Sequence, residues 1–410
     1  MVDKFKGILG DLYDPNTNPT GWCNVGVAEN YVMTKVVASF INENVASSFH
    51  LTAKDFSYDT GPWGTDRLRN AMAHHINRLF KPHSPIHPSD LLFANGCTSL
   101  CEMLGFTICD PGDTILLSRP IYQAFKADFG LKAQVPCEFV SFNGADQFDL
   151  PGVSCYEEHI IKAQNEGKCY TPEAMVAFMK LCNKHGIHLV VDEIYAMSVY
   201  DVPTGPPSTS FNSILSFDTD AYINPNYLHL LYGMSKDMAA GGIRLGCLWT
   251  RNADLMRAMM VITNFHWSGN ANEKIASLML EDEKWMDWFL DLSRSTLAQA
   301  NTLSQQLLSE HGIGFQEGSN AGLFLWVDLR KWCKKVDPTL KLGDDGFWAG
   351  EEALTKILAS KKILLTNGKD MDAEEPGWYR FIFSQEEHVV REGIKRIVAA
   401  IKDAEAADLS

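Results

Sequence analysis

The amino-acid sequence lacks the features that mark nucleic-acid-binding and membrane proteins. Its 410 residues contain no cluster of lysine or arginine, and 36 basic against 51 acidic residues leave a net charge of −15, so no nucleic-acid partner is expected. No run of about 18 apolar residues is present to span a bilayer, and Met1 to Lys6 lack the apolar core of a signal peptide. We therefore expect a cytoplasmic protein without a membrane partner.

Metal-binding and disulfide patterns are also absent. The ten cysteines are scattered, and the closest pair, Cys97 and Cys101, lies one helical turn apart instead of forming a Cys-x-x-Cys clip. His83 and His87 have the spacing of a helical metal pair, but three prolines around them exclude a helix. We expect reduced, mostly buried thiols and no bound metal.

The sequence does contain a large apolar fraction, arranged in short apolar runs that alternate with longer amphipathic ones. Hydrophobic residues make up 46% of the chain and charged residues 21%, which suffices for a large core. From about residue 90 the short runs predict strands, among them Leu91 to Ala94, Ile187 to Val191 and Tyr227 to Tyr232. Helices between these strands predict an α/β fold with a mixed, mostly parallel sheet that is flanked by helices.

The same patterns predict three parts of the chain. Residues 50–275 form a large domain, and residues 276–410 form a smaller α+β domain that begins with a long linking helix. Residues 1–49 form an N-terminal arm that joins the small domain.

One strand is missing from this alternation. Residues 156 to 167 look helical, and Thr171 caps a second helix with Pro172 in its first turn. Because parallel strands are joined by crossovers, a strand should return between two such helices, but only residues 168 to 170 separate them. A sheet without that strand would have to close a gap about one strand wide, roughly 5 Å.

The segment Tyr232 to Gly246 carries the most informative chemistry. Lys236 follows a buried strand, and Arg244 comes eight positions later in a glycine-rich turn. An amine that can form an imine, close to a guanidinium that can grip phosphate, is what a pyridoxal phosphate site needs. Taken alone, Lys236 could also be a surface lysine in a loop.

Two further segments support a cofactor site. Asp192 lies at the carboxyl end of an apolar strand, where it could keep a pyridine nitrogen protonated, and Tyr195 follows three residues later. The alternative for Asp192 is the cap of the next turn. Asn95 to Ser99 form a strand-to-helix turn whose backbone amides could bind an anion.

In this order, these segments resemble the fold type I pyridoxal phosphate enzymes, and among them the 1-aminocyclopropane-1-carboxylate synthase-like branch of the class I/II aminotransferases. Gly26 to Asn30 resembles the Gly-x-Ala-Glu-Asn signature of that branch. Ser319 to Asp328 resembles its small-domain strand, and Gly377 to Arg380 the segment that carries its substrate-binding arginine. The resemblance covers nearly the whole chain and implies a seven-stranded type of sheet in the large domain.

The resemblance also implies roles for individual residues. Lys236 would form the internal aldimine and then act as the base at the substrate α-carbon, while Asp192 and Tyr195 would complete the catalytic set at the ring nitrogen and ring oxygen. The implied cofactor-binding residues are Cys97, Thr98, Tyr122, Asp192, Tyr195, Ser235, Lys236 and Arg244.

Two residues are implied in substrate binding. Arg380 would bind the α-carboxylate and Glu29 would lie near the substrate. The residues alone leave other roles open: Arg380 in a surface ion pair, Glu29 as a hydrogen-bond partner in the N-terminal arm, and Tyr122 as a core aromatic.

Departures from the family pattern are as informative as the matches. Gly233 stands where the family has a serine or threonine that contacts phosphate, which implies weaker cofactor binding. The strand that ends in Asn-Pro-x-x-Pro-x-Gly is the one missing before Thr171, and with it an asparagine that contacts the cofactor.

Several activities are compatible with these motifs. The resemblance implies a pyridoxal-phosphate-dependent enzyme, a homodimer, that acts on an α-amino acid as an aminotransferase or a 1-aminocyclopropane-1-carboxylate synthase-like lyase. The alternatives are a carbon-sulfur β-lyase of secondary metabolism and a catalytically impaired family member that lacks the Asn-Pro strand.

Overall fold

The structure is a computed structural model that describes residues 2–58, 61–142, 145–159, 169–202, 210–333 and 346–406. The strands are β1 (Cys23–Asn24), β2 (Leu91–Asn95), β3 (Ile115–Leu117), β4 (Cys137–Phe139), β5 (Leu189–Asp192), β6 (Leu228–Gly233), β7 (Leu245–Thr250), β8 (Gly314–Phe315), β9 (Phe324–Asp328), β10 (Ile363–Leu364), β11 (Thr366–Asn367) and β12 (Trp378–Ile382). The helices are α1 (Val2–Leu9), α2 (Tyr31–Ser48), α3 (Asp66–Leu79), α4 (Cys97–Ile108), α5 (Phe125–Ala133), α6 (Leu150–His159), α7 (Pro172–His185), α8 (Ala253–Ile262), α9 (Asn270–Glu281), α10 (Glu283–Glu310), α11 (Ala349–Ser360) and α12 (Glu387–Ala406).

The main sheet has the strand order β2-β7-β6-β5. Strands β5 and β6 are parallel, whereas β7 runs antiparallel to both of its neighbours. Every residue of β6 and β7 is buried, because helices cover both faces of the sheet, and this explains their continuous apolar sequence. The expected α/β fold with a mixed sheet is confirmed.

The described strands of this region form two separate sheets. Strands β3 and β4 pair in parallel with each other, and no ladder joins them to β5 in the part of the chain that the structure describes. The two sheets are held together by side chains instead, since Leu116 of β3 and Leu189 of β5 pack on the same apolar cluster around Phe142 and Phe178. Among the described residues, the gap that a missing strand would leave is therefore not closed by direct pairing of β3 or β4 with β5.

Part of the segment expected to lack a strand lies outside the described residues, namely 160 to 168. Cys169 and Tyr170, which follow, lie outside any strand. The cap expected at Thr171 is present, because its hydroxyl oxygen accepts a hydrogen bond of 3.2 Å from the Ala174 N–H.

A second sheet, β11-β12-β9-β8, forms the C-terminal part together with α11 and α12. The N-terminal chain reaches both parts of the protein. Its strand β1 pairs in parallel with β10, while Met33, Val37 and Phe40 of α2 pack into the core of the main sheet. The segment between β1 and α2, residues 25 to 30, is thereby held between the two parts. No described helix is long and apolar enough to cross a membrane.

Candidate active site

Lys236 lies three residues beyond the carboxyl end of β6 and faces the segment between β1 and α2. Its Nζ donates a hydrogen bond of 2.6 Å to the carbonyl oxygen of Ala28. Burial and the neighbouring cation of Arg380 lower the pKa of Lys236, although Glu29 and Asp192 act in the opposite direction. The amine is therefore closer to its neutral, nucleophilic form than a lysine in water.

The amino-terminal end of α4 forms an open site for an anion. In the described part of the chain, the backbone N–H groups of Cys97 and Thr98 have no acceptor, and no side chain caps the helix. Arg244 reaches over this end: a Cβ at Gly96 would collide with its Nη2 and lie 3.1 Å from its Cζ. Gly96 has a φ of 85°, which a residue with a side chain rarely adopts. A guanidinium and two free N–H groups thus converge at one helix terminus.

The structure gives a physical reason for glycine at position 233. A Cβ there would lie only 2.7 Å from the carbonyl oxygen of Leu245 in the paired strand. The same Cβ would lie 3.4 Å from the Cys97 sulfur, whose thiol donates to the carbonyl oxygen of Tyr232 at 3.3 Å. Backbone and thiol therefore take the space that a hydroxyl-bearing side chain would need.

One carboxylate borders this anion site. Asp128 on α5 accepts a hydrogen bond of 3.4 Å from the Thr98 hydroxyl. Burial raises the pKa of Asp128 to about 6, while Thr98 and Arg244 act to lower it. Sequence reasoning missed Asp128 because its contact depends on the packing of α5 against α4.

Asp192 ends β5 beside the β6 strand that leads to Lys236. Asp192 is exposed to solvent, and its Oδ1 accepts a hydrogen bond of 3.0 Å from the Ile194 N–H. Desolvation by the surrounding protein raises the pKa of Asp192 to about 6, while the Ile194 N–H and the Lys236 cation act to lower it. Tyr195 lies one turn further, with its ring 6.3 Å from that of Phe324, and burial raises the pKa of its phenol.

A buried carboxylate that the sequence did not single out holds this region together. Asp237, only 1% exposed, accepts hydrogen bonds from the Met197 N–H at 2.9 Å and the Ser198 hydroxyl at 2.6 Å. The Arg294 Nε of α10 donates to the Met197 carbonyl at 3.1 Å. The turn that carries Lys236 is therefore fixed to the turn that carries Tyr195.

Arg380 lies at the middle of β12 and is only 3% exposed. Its Nη2 donates to the Gly26 carbonyl at 3.0 Å and to the Thr366 hydroxyl at 3.3 Å, while its buried Nε has no acceptor within the described ranges. No carboxylate of the described residues lies within 4 Å of it, so it is not part of a surface ion pair there. A guanidinium that is buried without a counter-ion can bind a carboxylate strongly.

A cavity of about 1890 Å³ joins several of the predicted residues. Lys236, Arg380, Tyr122 and Glu29 line it together. Tyr122 is 38% exposed, and its ring packs against Phe125 at 5.3 Å rather than in the core. Asp192, Tyr195, Ser235, Arg244 and the α4 terminus are not part of that wall.

The residues that line the cavity nevertheless interact electrostatically with those that lie outside its wall. Burial raises the pKa of both Cys97 and Tyr195. Asp192 raises the pKa of Cys97 further while Lys236 and Arg244 lower it, and Arg380 lowers the pKa of Tyr195. The structure thus brings all of the residues singled out from the sequence into one region. An amine, an anion site with free N–H groups and a strand-end carboxylate fit the donors that pyridoxal phosphate requires.

Comparison with known proteins shows to which family the chain belongs. The sequence model of the class I and II aminotransferase family matches residues 29–397, and the chain belongs to this family. Members of the family are pyridoxal-phosphate-dependent enzymes, and this is the cofactor of the protein.

Two similar proteins are named as 1-aminocyclopropane-1-carboxylate synthase-like proteins. The chain is 28% identical over 418 residues to 1-aminocyclopropane-1-carboxylate synthase-like protein 1 of Takifugu rubripes, covering 96% of this chain and 64% of that protein. It is 27% identical over 406 residues to the probable inactive 1-aminocyclopropane-1-carboxylate synthase-like protein 2 of Mus musculus, covering 93% of this chain and 66% of that protein. The chain therefore spans about two thirds of the length of these relatives.

A solved structure supports the fold. A double mutant of the aspartate aminotransferase of Thermus thermophilus superposes with a TM-score of 0.72 at 16% identity, over 92% of this chain and 91% of that one.

Proposed function

We propose that the protein removes the α-proton of an α-amino acid, with Lys236 as both the residue that carries pyridoxal phosphate and the base. The observation that carries this proposal is the Lys236 amine. It is half-buried and has a lowered pKa, and it shares one cavity with the guanidinium of Arg380, which has no carboxylate partner among the described residues.

The other residues would bind the two ligands. The N–H groups of Cys97 and Thr98, with Arg244 and Ser235, would hold the phosphate. Asp192 would pair with the ring nitrogen, Tyr195 with the ring oxygen, and Tyr122 would cover the ring face. Two observations support this arrangement: the free N–H groups at the α4 terminus, and the Arg244 guanidinium above Gly96.

Arg380 would bind the substrate α-carboxylate as a fork, and Glu29 would lie beside the substrate amine. Pyridoxal phosphate supplies the electron sink that makes loss of the α-proton possible. The Nζ of Lys236 would take that proton, since its lowered pKa leaves it able to act as a base. This step is common to amino-group transfer and to the synthase-like reaction, and the same residues would serve both.

A homodimer is part of the proposal. Three aromatic side chains lie exposed near the start of α3 and of α9: Phe56 at 78%, Tyr58 at 86% and Phe265 at 87%. Tyr58 packs only against the Trp267 ring, at 5.5 Å between ring centres, among the described aromatics. A second copy of the chain would cover this apolar face, and sedimentation as a monomer would contradict that.

A cytoplasmic location is proposed as well. All ten cysteines are unpaired, which is typical of proteins in a reducing compartment.

A catalytically impaired family member is the second candidate. Two observations favour it: the division between β3 and β5 in the described sheet, and the relative from mouse that is named as inactive. Such a protein would keep the fold and lose turnover.

Absorbance and turnover test the two candidates. We expect the purified protein with pyridoxal phosphate to show a visible band at roughly 410–430 nm, which Lys236→Ala abolishes and the exposed Lys54→Ala retains. A folded protein without this band would end the proposal. A band without product from any common amino acid, cysteine conjugate or S-adenosylmethionine would favour the impaired candidate.

Arg380→Ala tests the carboxylate role. The variant should keep the visible band and raise KM about tenfold or more for amino-acid substrates, because one charge-assisted fork is lost. Unchanged kinetics would remove Arg380 from the site.

A further inference from the structure

The cavity that contains Lys236 and Arg380 extends well beyond them. Its far wall is formed by the chain that follows β3 and by β4, and it includes Arg119, Phe139 and Ser141. Arg119, Phe139 and Ser141 have no role in the site described so far, and they are placed to contact a part of the substrate that lies beyond Lys236 and Arg380.

Arg119 is the distinctive residue of the far wall. Its Nη1 donates to the Ser141 hydroxyl at 3.3 Å, and its guanidinium carbon lies 5.5 Å from the centre of the Phe139 ring. Its buried Nε has no acceptor in the part of the chain that the structure describes. Among the described residues no carboxylate lies within 4 Å of it, although Asp372 and Glu374 act on its pKa from further away.

The other cations of this wall differ from Arg119 because they already have partners. Lys126 forms an ion pair of 2.5 Å with Asp372, and Lys369 forms one with Glu352. Glu374, the second acid near Arg119, accepts a hydrogen bond of 2.6 Å from the Phe142 N–H. Asp372 and Glu374 are thus engaged elsewhere, and they leave the guanidinium unpaired.

Arg119 and Arg380 share the same unusual state. Both guanidinium groups line one cavity, and each has a buried Nε for which the described residues offer no acceptor. A cation that has lost part of its hydration without gaining a counter-ion is unfavourable by itself, and a bound anion would remove that penalty. The aromatic ring beneath Arg119 also limits its rotation, so its fork is held ready for a planar anion.

We propose that Arg119 binds an anionic group at the end of the substrate side chain, so that the substrate class is α-amino acids with an acidic side chain. This inference rests on the proposed function, in which Arg380 takes the α-carboxylate. The two guanidinium groups would then hold the two ends of one dianionic substrate. An amino acid whose side chain ends in a cation would instead be repelled by the positive charge of Arg119.

Matched pairs of amino acids test the inference in the holoenzyme. Each acid, L-aspartate, L-glutamate or L-2-aminoadipate, is compared with a neutral partner, L-asparagine, L-glutamine or L-norleucine. We expect kcat/KM at least about tenfold higher for one of the acids than for its partner, because a charge-assisted fork is gained. Arg119→Gln should abolish that preference by raising KM for the acid, with unchanged kinetics for the neutral amino acid, and Arg119→Lys should retain part of it.

A binding measurement separates this inference from the proposed function. Succinate, glutarate and adipate should raise the melting temperature of the cofactor-free protein more than the monocarboxylates butyrate, valerate and hexanoate do. Arg119→Gln should remove the difference. This readout needs neither turnover nor cofactor, so it stands even if the visible band is absent and the proposed function fails.

Two results would overturn the inference while leaving the proposed function intact. The first is a wild-type holoenzyme, with its Lys236-dependent band, that prefers no acidic amino acid. The second is an acid preference, in kinetics or in melting temperature, that persists in folded Arg119→Gln.

Discussion

Gly96 is the glycine on which the proposed phosphate site depends most. Its φ of 85° and ψ of 165° lie in a region that residues with a side chain avoid, and the Arg244 guanidinium lies against it. Gly96→Ala would add backbone strain of about 1–3 kcal/mol and push the guanidinium away from α4. Loss of a charge-assisted contact with phosphate removes about 1.5–3 kcal/mol, which raises the cofactor dissociation constant roughly 10- to 150-fold.

Gly112 provides a matched control for the strain alone. It has a φ of 105°, and a Cβ there would have nothing within 4 Å. We would measure pyridoxal phosphate affinity by absorbance titration and the free energy of unfolding in urea for both variants. Both should lose stability, whereas only Gly96→Ala should lose cofactor affinity. Unchanged affinity in Gly96→Ala, or an equal loss in both, would refute the position of the phosphate between Arg244 and α4.

Three further predictions concern titratable side chains. Asp237→Ala should lower the free energy of unfolding in urea by about 2–4 kcal/mol, because two buried donors lose their acceptor; a loss as small as that of an exposed aspartate would contradict this role. Asp128→Asn should raise pyridoxal phosphate affinity severalfold above pH 6, where the carboxylate with its raised pKa of about 6 is charged, and should change it little below; an effect independent of pH would count against the charge as the cause. Burial holds the pKa of His229 near 3, below its usual 6.5, so the folded state resists protonation of this side chain. The free energy of unfolding should therefore fall as the pH drops from about 6.5 toward 3. His229→Gln should make that fall shallower by about 1.4 kcal/mol per pH unit, and an identical pH profile of urea unfolding would exclude His229 as a contributor.

The strands of the main sheet could be predicted because they are buried on both faces. A continuous apolar run predicted Tyr227 to Tyr232, and the structure has Leu228–Gly233. Strand direction could not be predicted in this way, since the apolar runs of β6 and of the antiparallel β7 look alike. A missing strand before Thr171 could be predicted from the sequence, but whether its neighbours then pair directly depends on contacts between distant segments, which no local pattern encodes.

Some residues of the candidate site could likewise be predicted from the sequence, and others could not. Lys236 and Arg244 could be singled out because their chemistry and spacing lie within one segment of sequence. Asp237 could not, because its partners Met197 and Ser198 lie about 40 residues away and an acid beside a lysine carries no sign of burial. Arg119 was missed because only the folded cavity shows that its guanidinium lacks a counter-ion.

The covalent partner of the cofactor is the most direct measurement. The protein is incubated with pyridoxal phosphate, reduced with borohydride, digested, and its peptides are mapped by mass spectrometry. We predict that the cofactor mass is found on the peptide that contains Lys236 and on no other lysine, and that Lys236→Ala carries none. A label on a different lysine, or a folded wild-type protein without label, would contradict the assignment of this cavity as the active site.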